Sequence, residues 1–311
     1  MYEKIVVVTR KTRLQELIER FNTHAQAKFY IEHAGGNFAD YEQEHSNYER
    51  ALEQVQRSLE LGLKVQCVDR YFVPTFLFTP KDVIVTLGQD GLVANTAKYV
   101  SGQPIIAVNP DPSRFDGVLL PFLPKDTHAA VHHLLEGKQR ARAVTLAEVQ
   151  LNDSQRLLAF NDLFLGARTH ISARYRLTWQ GRGEPQSSSG VIVSTGAGTT
   201  GWMSSVFNMA YGVAKLARGK DSSDVKPSGL KMKWEDPRLL FVVREPFISR
   251  HSQASIVAGL LSPGQNLSLE SLMPSGGVIF SDGIEADFLE FNSGAIATVR
   301  AAEKKAQLVV G

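Results

Sequence analysis

Cysteine is almost absent from this sequence: Cys67 is the single one among 311 residues. One cysteine cannot form an intramolecular disulfide, and no cluster of cysteine and histidine has the spacing of a structural zinc site. We therefore expect a reducing compartment and no structural zinc site. Strand-like sequence begins at Ile5, which predicts that no targeting peptide precedes the fold. Together these features favour a cytoplasmic protein.

The sequence also lacks an excess of one charge and any long apolar run. Lysine and arginine number 34, aspartate and glutamate number 32, and the net charge is +2. A dedicated nucleic-acid-binding protein usually has a strong basic excess, and a membrane-spanning helix needs roughly 18–20 consecutive apolar residues. We therefore expect neither nucleic acid nor a membrane as a partner. A small anionic ligand remains compatible, because it needs only a local positive pocket.

The composition that is present, 43% hydrophobic and 21% charged, is ordinary for a globular protein and excludes a largely disordered chain. In residues 1–142, short β-branched runs alternate with amphipathic segments. This alternation predicts an α/β domain with a mostly parallel sheet and helices on both faces. The predicted strands are 5–9, 65–68, 83–86 and 105–108, and the predicted helices are 12–21 and 41–61.

After residue 142 the pattern changes to short strands broken by glycine, proline and serine. It predicts a β-rich second domain over residues 143–311, whose last residues are candidates to return to the first domain. Residues 218–238 are polar, and they form either a mobile surface loop or a partly basic flap over an anionic ligand. The predicted strands here are 157–164, 172–179, 190–194, 239–243, 255–258 and 266–272, and the predicted helix is 203–217.

The first segment with chemical content is a turn, Gly88-Gln-Asp-Gly91, between a buried strand and a helical run. Ligands of open α/β sheets gather at the carboxyl ends of strands, where such a turn offers unpaired backbone N–H groups to an anion. Asp90 cannot bind phosphate, because like charges repel, but it can take a proton from an attacking hydroxyl or hold a metal. The alternative is an ordinary tight turn, which aspartate and glycine both favour.

A second glycine-rich turn, Gly196-Ala-Gly-Thr-Thr-Gly201, precedes a helix that begins near Trp202. Its spacing matches the dinucleotide-binding fingerprint G-x-G-x-x-G, and Asp221 follows twenty residues later. That fingerprint normally opens the first βα unit of its domain, and this turn does not. We therefore favour a polar ligand site lined by backbone N–H groups and Ser/Thr hydroxyls. A glycine-rich connection without a ligand is the alternative.

Two polar residues, Asn161 and Asp162, interrupt the apolar residues 157–165. An unpaired buried polar group costs about 1–3 kcal/mol, so these two either satisfy neighbouring backbone groups or face a ligand such as a ribose or an adenine edge. Among the histidines, we retain His251, in a predicted loop, as a candidate ligand contact.

Taken in order, these segments resemble the motifs of the NAD kinase and diacylglycerol kinase superfamily. The turn at residues 88–91 looks like its Gly-Gly-Asp-Gly-Thr loop, and residues 104–109 resemble the next strand of NAD kinases, which ends in an asparagine, here Asn109. Asn161-Asp162 stands where that family has Asn-Glu. Residues 194–202 look like its Ser-Thr-x-Thr-Gly-Ser-Thr-Ala-Tyr strand and turn.

The mitochondrial-type branch of the NAD kinases resembles the chain more closely. It shares the Ser-Ser-Gly of residues 188–190, the Thr-Gly-x-Gly of residues 195–198 and the tryptophan at Trp202. Three C-terminal segments also resemble that branch: residues 236–246, 282–283 and 289–297. The resemblance runs from about residue 83 to the end, and more loosely to the first strand.

The resemblance implies an NAD kinase/diacylglycerol kinase-like fold and an enzyme that transfers a phosphoryl group from ATP to the 2′-hydroxyl of the adenosine ribose of NAD, giving NADP. It also implies a divalent cation, Mg²⁺, and a homodimer. Asp90 is then the general base. The residues implied to contact the phosphates of ATP are Gly88, Gln89, Gly91 and Leu92.

The residues implied to bind NAD come from both predicted domains. In such an enzyme, positioning and charge neutralisation supply most of the acceleration. The implied NAD contacts are Asn109, Asn161, Asp162, Thr195, Thr200, Gly201, Trp202 and Ser205.

Two positions depart from the family pattern: Gln89 replaces the second glycine of the loop, and Leu92 replaces its threonine. A glutamine places a side chain where backbone meets phosphate, and it adds strain if its φ is positive. Leu92 lacks a hydroxyl that could hold a phosphate oxygen. Two alternatives therefore stay open, a catalytically impaired NAD(P)-binding sensor or regulator of the same fold, and a kinase of the superfamily with a lipid or sugar acceptor.

Overall fold

The structure, a computed structural model, describes residues 2–218 and 230–311. The chain divides into two compact units. The first comprises Met1–Arg142 together with Gln307–Gly311, and the second comprises Ala143–Ala306. The chain therefore leaves the first unit once and returns to it with its last residues.

The first unit alternates strands and helices along the chain, as βαβ units do. Two short 3₁₀ helices, Arg70–Thr75 and Pro124–Asp126, supplement them. The elements are β1 (Lys4–Thr9), α1 (Arg13–Phe21), α2 (His24–His33), α3 (Ala39–Ser58), β2 (Lys64–Asp69), β3 (Asp82–Leu87), α4 (Asp90–Tyr99), β4 (Pro104–Val108) and α5 (Thr127–Leu135).

The sheet of the first unit has the order β2-β1-β3-β4, and all these neighbours are parallel. The end of the last strand, at Gln307 and Leu308, pairs in parallel with β4. Side chains of α3 and α5 form one core with alternate residues of these strands, such as Val7 and Val85. Their neighbours Val6 and Ile84 are fully buried as well, so these strands are apolar on both faces, as parallel strands normally are.

The second unit consists mainly of antiparallel strands and contains one long helix, α6 (Trp202–Arg218). Its strands are β5 (Ala141–Leu151), β6 (Arg156–Ala159), β7 (Asp162–Ala167), β8 (Ala173–Trp179), β9 (Arg182–Ser188), β10 (Val191–Ser194), β11 (Leu239–Val243), β12 (Ala258–Leu261), β13 (Leu267–Ser271), β14 (Gly277–Ser281), β15 (Ile284–Glu290) and β16 (Ile296–Val309).

Within the second unit, six strands pair in the order β12-β11-β10-β7-β14-β15. A second set pairs in the order β16-β13-β8-β9, and β5 pairs with β16 and β6. Residues from both sets, among them Leu163, Leu177 and Phe241, share one apolar core, as in a sandwich of two sheets. Helix α6 packs Met203 against Phe164 and Ile192 of the six-stranded set.

The predicted fold class, a mostly parallel α/β sheet followed by a β-rich part, is confirmed, but several elements differ from expectation. Strands β5, β9, β14, β15 and β16 have no predicted counterpart. Helix α2 was not predicted. The predicted strand 255–258 lies instead at Ala258–Leu261, because the Glu184 carboxylate binds the backbone N–H groups of Ser255 and Ile256 and removes them from strand pairing. The single predicted strand 157–164 is two strands, β6 and β7, broken at Phe160 and Asn161.

Candidate functional site

In the first unit, three loops leave the carboxyl edge of the parallel sheet. Arg10 follows β1, Gly88 follows β3, and Asn109 follows β4. Because the strands are parallel, these residues lie on the same edge, which is where open α/β sheets bind their ligands. This edge is therefore the candidate binding site for the phosphoryl donor, and we call the turn at residues 88–91 the donor turn.

The turn after β3 has ordinary backbone geometry at the position of the unusual glutamine. Gln89 has φ −93° and is the residue before α4, so the strain expected for a positive φ does not arise. Its side chain is exposed and makes no capping hydrogen bond to the helix. The first N–H groups of a helix lack partners within the helix, so this end of α4 can bind an anion.

Asp90 is the first residue of α4, and its two carboxylate oxygens have different roles. Oδ1 accepts a hydrogen bond from the backbone N–H of Leu119 at 2.6 Å. Oδ2 accepts none from the described part of the chain. The carboxylate is thus oriented by one oxygen while the other stays available, and the residue is only partly buried.

The other predicted phosphate contacts fall into two groups. Leu92 is buried, its backbone N–H donates to the Gln89 carbonyl, and its Cδ2 would lie 2.7 Å from a Cβ at Gly88. It therefore packs beneath the turn rather than on its open side. A Cβ at Gly91 would meet nothing within 4 Å, so the space in front of Gly91 is open to a ligand.

Asn109 is buried, and both ends of its side-chain amide bond to the loop after β4. Oδ1 accepts from the Asp111 N–H at 3.0 Å, and Nδ2 donates to the Phe115 carbonyl at 3.0 Å. The asparagine at this strand end therefore shapes the loop that also carries Leu119, the partner of Asp90.

In the second unit, Asn161 and Asp162 lie where β6 breaks into β7, and a third residue explains the break. The Asp282 carboxylate accepts from the N–H groups of Phe160, Asn161 and Asp162 at 2.7–3.1 Å. Asp282 itself has φ 53°, in the left-handed region that aspartate tolerates better than most residues. It fixes the backbone of the Asn-Asp pair and leaves the Asn161 side chain half-buried.

The Asp162 carboxyl is buried, and its Oδ1 has no hydrogen-bond partner within the described residues. Burial raises the pKa of Asp162 to about 7, the nearby Ser194 hydroxyl lowers it, and the Asp282 carboxylate raises it further. Near neutral pH this group therefore exchanges a proton, which an ordinary aspartate does not.

The glycines of the second turn are required by the protein's own packing. A Cβ at Gly196 would lie 1.9 Å from the Lys233 carbonyl oxygen, and one at Gly198 would lie 2.6 Å from Asp162 Oδ1. Thr195 is buried, and its hydroxyl donates to the Phe160 carbonyl at 2.5 Å. This part of the turn joins the Asn-Asp segment to the backbone at Lys233 and does not itself require a ligand.

The residues just beyond face outward. Thr200, Gly201 and Ser205 are exposed at the start of α6. Trp202 stacks on Phe164 with 5.8 Å between ring centroids, and the Arg244 guanidinium carbon lies 5.6 Å from its ring. The structure therefore offers polar groups at a helix start, beside an aromatic ring that is fixed in place.

Three further expectations concern less central segments. His251 is exposed in a loop, where its backbone N–H donates to Ser249 Oγ. Of the predicted loop 218–238, residues 219–229 lie outside the described residues, whereas Met232 is buried and donates to Thr199 Oγ1. The described ranges contain no group of three or more His, Cys, Asp and Glu side chains that could hold a metal, and no helix in them could cross a membrane.

Two contributors to the site were missed by reasoning from the sequence. Asp282 was noted only for its resemblance, because its partners lie about 120 residues away in sequence. Tyr48 accepts from the Arg10 N–H and donates to the Leu87 carbonyl, at 3.0 and 3.1 Å. A tyrosine on the apolar face of a predicted helix is a weak signal, because such residues are normally part of the core.

The known proteins that resemble this chain in sequence are NAD kinases. No model of a protein family matches the chain. NAD kinase 2, mitochondrial, from Rattus norvegicus is 24% identical over an alignment that covers 95% of this chain and 84% of the relative. The chain thus resembles this protein over nearly its whole length.

Solved structures agree. Yeast NADH kinase complexed with NADH superposes with a TM-score of 0.61 at 17% identity, over 100% of this chain and 84% of that one. An NAD kinase from Archaeoglobus fulgidus in complex with ATP gives 0.58 at 15% identity, over 98% and 92%. The fold is that of the NAD kinases. The predicted resemblance to that family is confirmed. The relative from Rattus norvegicus is, by its name, a mitochondrial NAD kinase, as the predicted branch is.

Proposed function

We propose that this chain is an NAD kinase, a phosphotransferase that uses ATP to phosphorylate the 2′-hydroxyl of the adenosine ribose of NAD. The observation that carries the proposal is the geometry of Asp90, with one oxygen held by the Leu119 N–H and the other available. The relatives named NAD kinase support it. Nothing in the comparisons favours the sensor or the lipid or sugar kinase.

In this reaction Asp90 is the general base. Transfer of a phosphoryl group needs an attacking hydroxyl that is held in line and loses its proton. A carboxylate oriented through Oδ1 can accept that proton on Oδ2 without first rearranging. Its position at the start of α4, after the carboxyl end of β3, places it beside the N–H groups that suit a phosphate.

The donor phosphates lie against the turn at Gly88 and Gly91. The open space in front of Gly91 supports this assignment, and the extended backbone of Gln89 leaves the helix start accessible. Gln89 points into solvent and contacts the donor from the side. Leu92 supports the turn from below, because its side chain is buried against Gly88.

The candidate NAD contacts of the second unit lie at the start of α6 and at the break between β6 and β7. Thr200, Gly201 and Ser205 offer exposed polar groups, Trp202 an aromatic ring, and Asn161 a half-buried amide. Asn109, Asp162 and Thr195 act through the backbone they hold, because their side chains are buried. His251 remains a candidate contact in an exposed loop.

The proposal includes a divalent cation, Mg²⁺. An ion that arrives on the phosphates of ATP is held largely by those phosphates and by water, so the turn at residues 88–91 is compatible with it while Asp90 Oδ2 stays available as the base. When bound, the ion neutralises charge on the phosphates. We also propose a homodimer and a cytoplasmic location. The dimer rests on the family resemblance, and the location on the single, unpaired cysteine.

The test is the formation of NADP. Purified protein is incubated with NAD, Mg²⁺ and ATP, and NADP is followed by a coupled dehydrogenase. We expect ATP-dependent turnover that EDTA abolishes and excess Mg²⁺ restores. If NAD or NADP raises the melting temperature while ATP, GTP and polyphosphate all fail to yield NADP, the chain is a nucleotide-binding regulator and the proposal is wrong.

A further inference from the structure

The turn between β1 and α1 carries three cations in four residues, Arg10-Lys-Thr-Arg13, on the sheet edge of the candidate donor site. Strand β1 pairs in parallel with β3, with Val8 opposite Thr86. Arg10 and Gly88 are therefore each the first residue beyond neighbouring strands, which lie about 4.8 Å apart. The Tyr48 hydroxyl connects the two strand ends, because it accepts from the Arg10 N–H and donates to the Leu87 carbonyl.

A buried glutamate organises two of these cations. Glu44 on α3 accepts two hydrogen bonds. Arg10 Nη2 donates to its Oε1 at 3.0 Å, and Arg13 Nε donates to its Oε2. Burial alone would raise the pKa of Glu44, but the hydrogen bonds from Arg13 and Arg10 outweigh burial and lower that pKa. The glutamate is therefore ionised at neutral pH, and the three side chains carry a net charge of +1.

The Arg10 side chain is buried and engaged in contacts within the protein. Its side chain is only 9% exposed, Nη1 donates to the Lys11 carbonyl, and Nε is buried without a partner in the described residues. A buried guanidinium that is incompletely paired is costly. Its positive charge, next to the end of β1, adds to the potential of this edge.

Arg13 is the cation that remains available. Nε is fixed by Glu44, and the guanidinium carbon lies 4.5 Å from the centre of the Tyr41 ring. Nη1 and Nη2 have no hydrogen-bond partner among the described residues, and the side chain is 49% exposed. Two free N–H-bearing nitrogens on a guanidinium that is already oriented form a fork that suits two phosphate oxygens.

We propose that Arg13 binds the polyphosphate chain of the phosphoryl donor. This inference deepens the proposed NAD kinase function and rests on it for the identity of the donor. Glu44, which anchors Arg13, and Tyr48, which touches Leu87, are four residues apart on α3, about 6 Å along the helix. The fork therefore lies along the same edge as the turn at Gly88.

The Arg13 guanidinium also compensates for a difference between the donor turn and the NAD kinase pattern. Leu92 supplies no hydroxyl to the donor, because its side chain is apolar and buried. A guanidinium held nearby restores a charged contact to a phosphate, and a charged contact is about twice as strong as a neutral one.

The experiment measures polyphosphate binding independently of catalysis. Isothermal titration with inorganic tripolyphosphate and with ATP compares the wild type, Arg13→Gln and Arg13→Lys. The matched control is Arg20→Gln, because Arg20 lies on the same helix and also sits over an aromatic ring, Phe21, at 5.2 Å. Melting temperatures establish that each variant is folded.

We expect Arg13→Gln to weaken both ligands by about tenfold to a hundredfold, Arg13→Lys to fall between, and Arg20→Gln to match the wild type. Unchanged binding in Arg13→Gln, an equal loss in Arg20→Gln, or no tripolyphosphate binding to the wild type overturns the inference.

Turnover measured on the same samples separates this inference from the proposed function. An active Arg13→Gln enzyme with an unaltered KM for ATP overturns the inference and leaves the NAD kinase standing. A wild type that binds tripolyphosphate through Arg13 but makes no NADP overturns the NAD kinase and leaves a polyphosphate site.

Discussion

Asp90, Asp162 and Asp282 carry the same carboxyl group in three different surroundings. Asp90 is oriented by one N–H and keeps one oxygen available. Asp282 is saturated by three N–H groups and serves the backbone. Asp162 is buried, and its Oδ1 has no hydrogen-bond partner in the part of the chain that the structure describes. Hydrogen-bond partners and burial, rather than residue type, thus decide which carboxyl keeps an oxygen available, which holds the backbone and which takes up a proton near neutral pH.

Asp162 makes the stability of the second unit depend on pH. Its pKa is about 7 in the folded protein against an ordinary value near 3.9, so the folded state binds the extra proton between these values. The contribution of this group to the free energy of unfolding is therefore most favourable below about pH 4. It falls by about 4 kcal/mol in all as the pH rises towards 7.

Asp162→Asn should remove this dependence. We expect the free energy of unfolding of the variant, relative to that of the wild type, to increase as the pH rises from 5 to 8. Tryptophan fluorescence reports on this unit, because Trp179, Trp202 and Trp234 all belong to it. Asp153→Asn, an exposed site in the same unit, is the control. Parallel pH curves for wild type and Asp162→Asn would show that the buried carboxyl does not titrate as described.

At the scale of elements, the two strand-to-helix turns use glycine for different reasons. At Gly196 the protein's own backbone, the Lys233 carbonyl, occupies the space that a Cβ would need. At Gly91 the space is empty, and the residue lies in the first turn of α4. One glycine serves packing, and the other leaves room for a ligand.

Alanine at these two positions should therefore have opposite effects. Gly196→Ala should destabilise the second unit by more than about 3 kcal/mol, because backbone must move to admit the methyl group. Gly91→Ala should keep or raise the melting temperature, since alanine favours a helix by up to about 1 kcal/mol, and should raise the KM for ATP. Unfolding curves and steady-state kinetics measure both.

Gly201→Ala is the control for the second turn, because a Cβ there would meet its nearest atom, the Gly198 carbonyl oxygen, at 3.6 Å. An ATP KM unchanged in Gly91→Ala would mean that the donor does not use the space in front of this helix.

Elements with a local signal were predictable from the sequence, and those fixed by distant partners were not. Strands β3 and β11 are continuous apolar runs, and their positions were anticipated within a residue or so. Strand β9 reads Arg-Gly-Glu-Pro-Gln-Ser-Ser and gives no such signal. It forms because β8 pairs with it along its whole length.

The site shows the same division. The position of Asp90 between a strand and a helix was predictable, since strand, glycine and helix are adjacent in sequence. The partner of Asp90 at Leu119, the brace at Asp282 and the clash at Gly196 depend on backbone 29 to 120 residues away or on a carbonyl of another segment. A single sequence contains no record of those distances.

At the scale of the whole molecule, the chain order and the spatial order differ. Gln307–Gly311 belongs to the first unit, although 164 residues of the second unit, Ala143–Ala306, precede it. Leu308 and Val309 are buried, and Val310 donates to the Arg140 carbonyl. The first unit therefore needs residues that follow the whole second unit in sequence.

Deleting residues 307–311 should loosen the first unit. Two buried aliphatic side chains and the pairing with β4 are lost, which costs on the order of 3–5 kcal/mol. Hydrogen exchange measured by mass spectrometry should then accelerate in Pro104–Val108. Val309→Thr is a milder variant that should produce a smaller change in the same segment, and unaltered exchange after the deletion would contradict the described pairing.

The central claim is that Asp90 is the base of an NAD kinase, and the turnover of Asp90→Asn tests it most directly. Asparagine can still accept from the Leu119 N–H, so the turn is kept while the basic oxygen is lost. Asp116→Asn, an exposed residue of the loop that carries Leu119, is the matched control.

We expect Asp90→Asn to make NADP about a hundredfold to ten-thousandfold more slowly, with an unchanged melting temperature and unchanged NAD affinity, and Asp116→Asn to match the wild type. Turnover of Asp90→Asn close to that of the wild type would contradict the account.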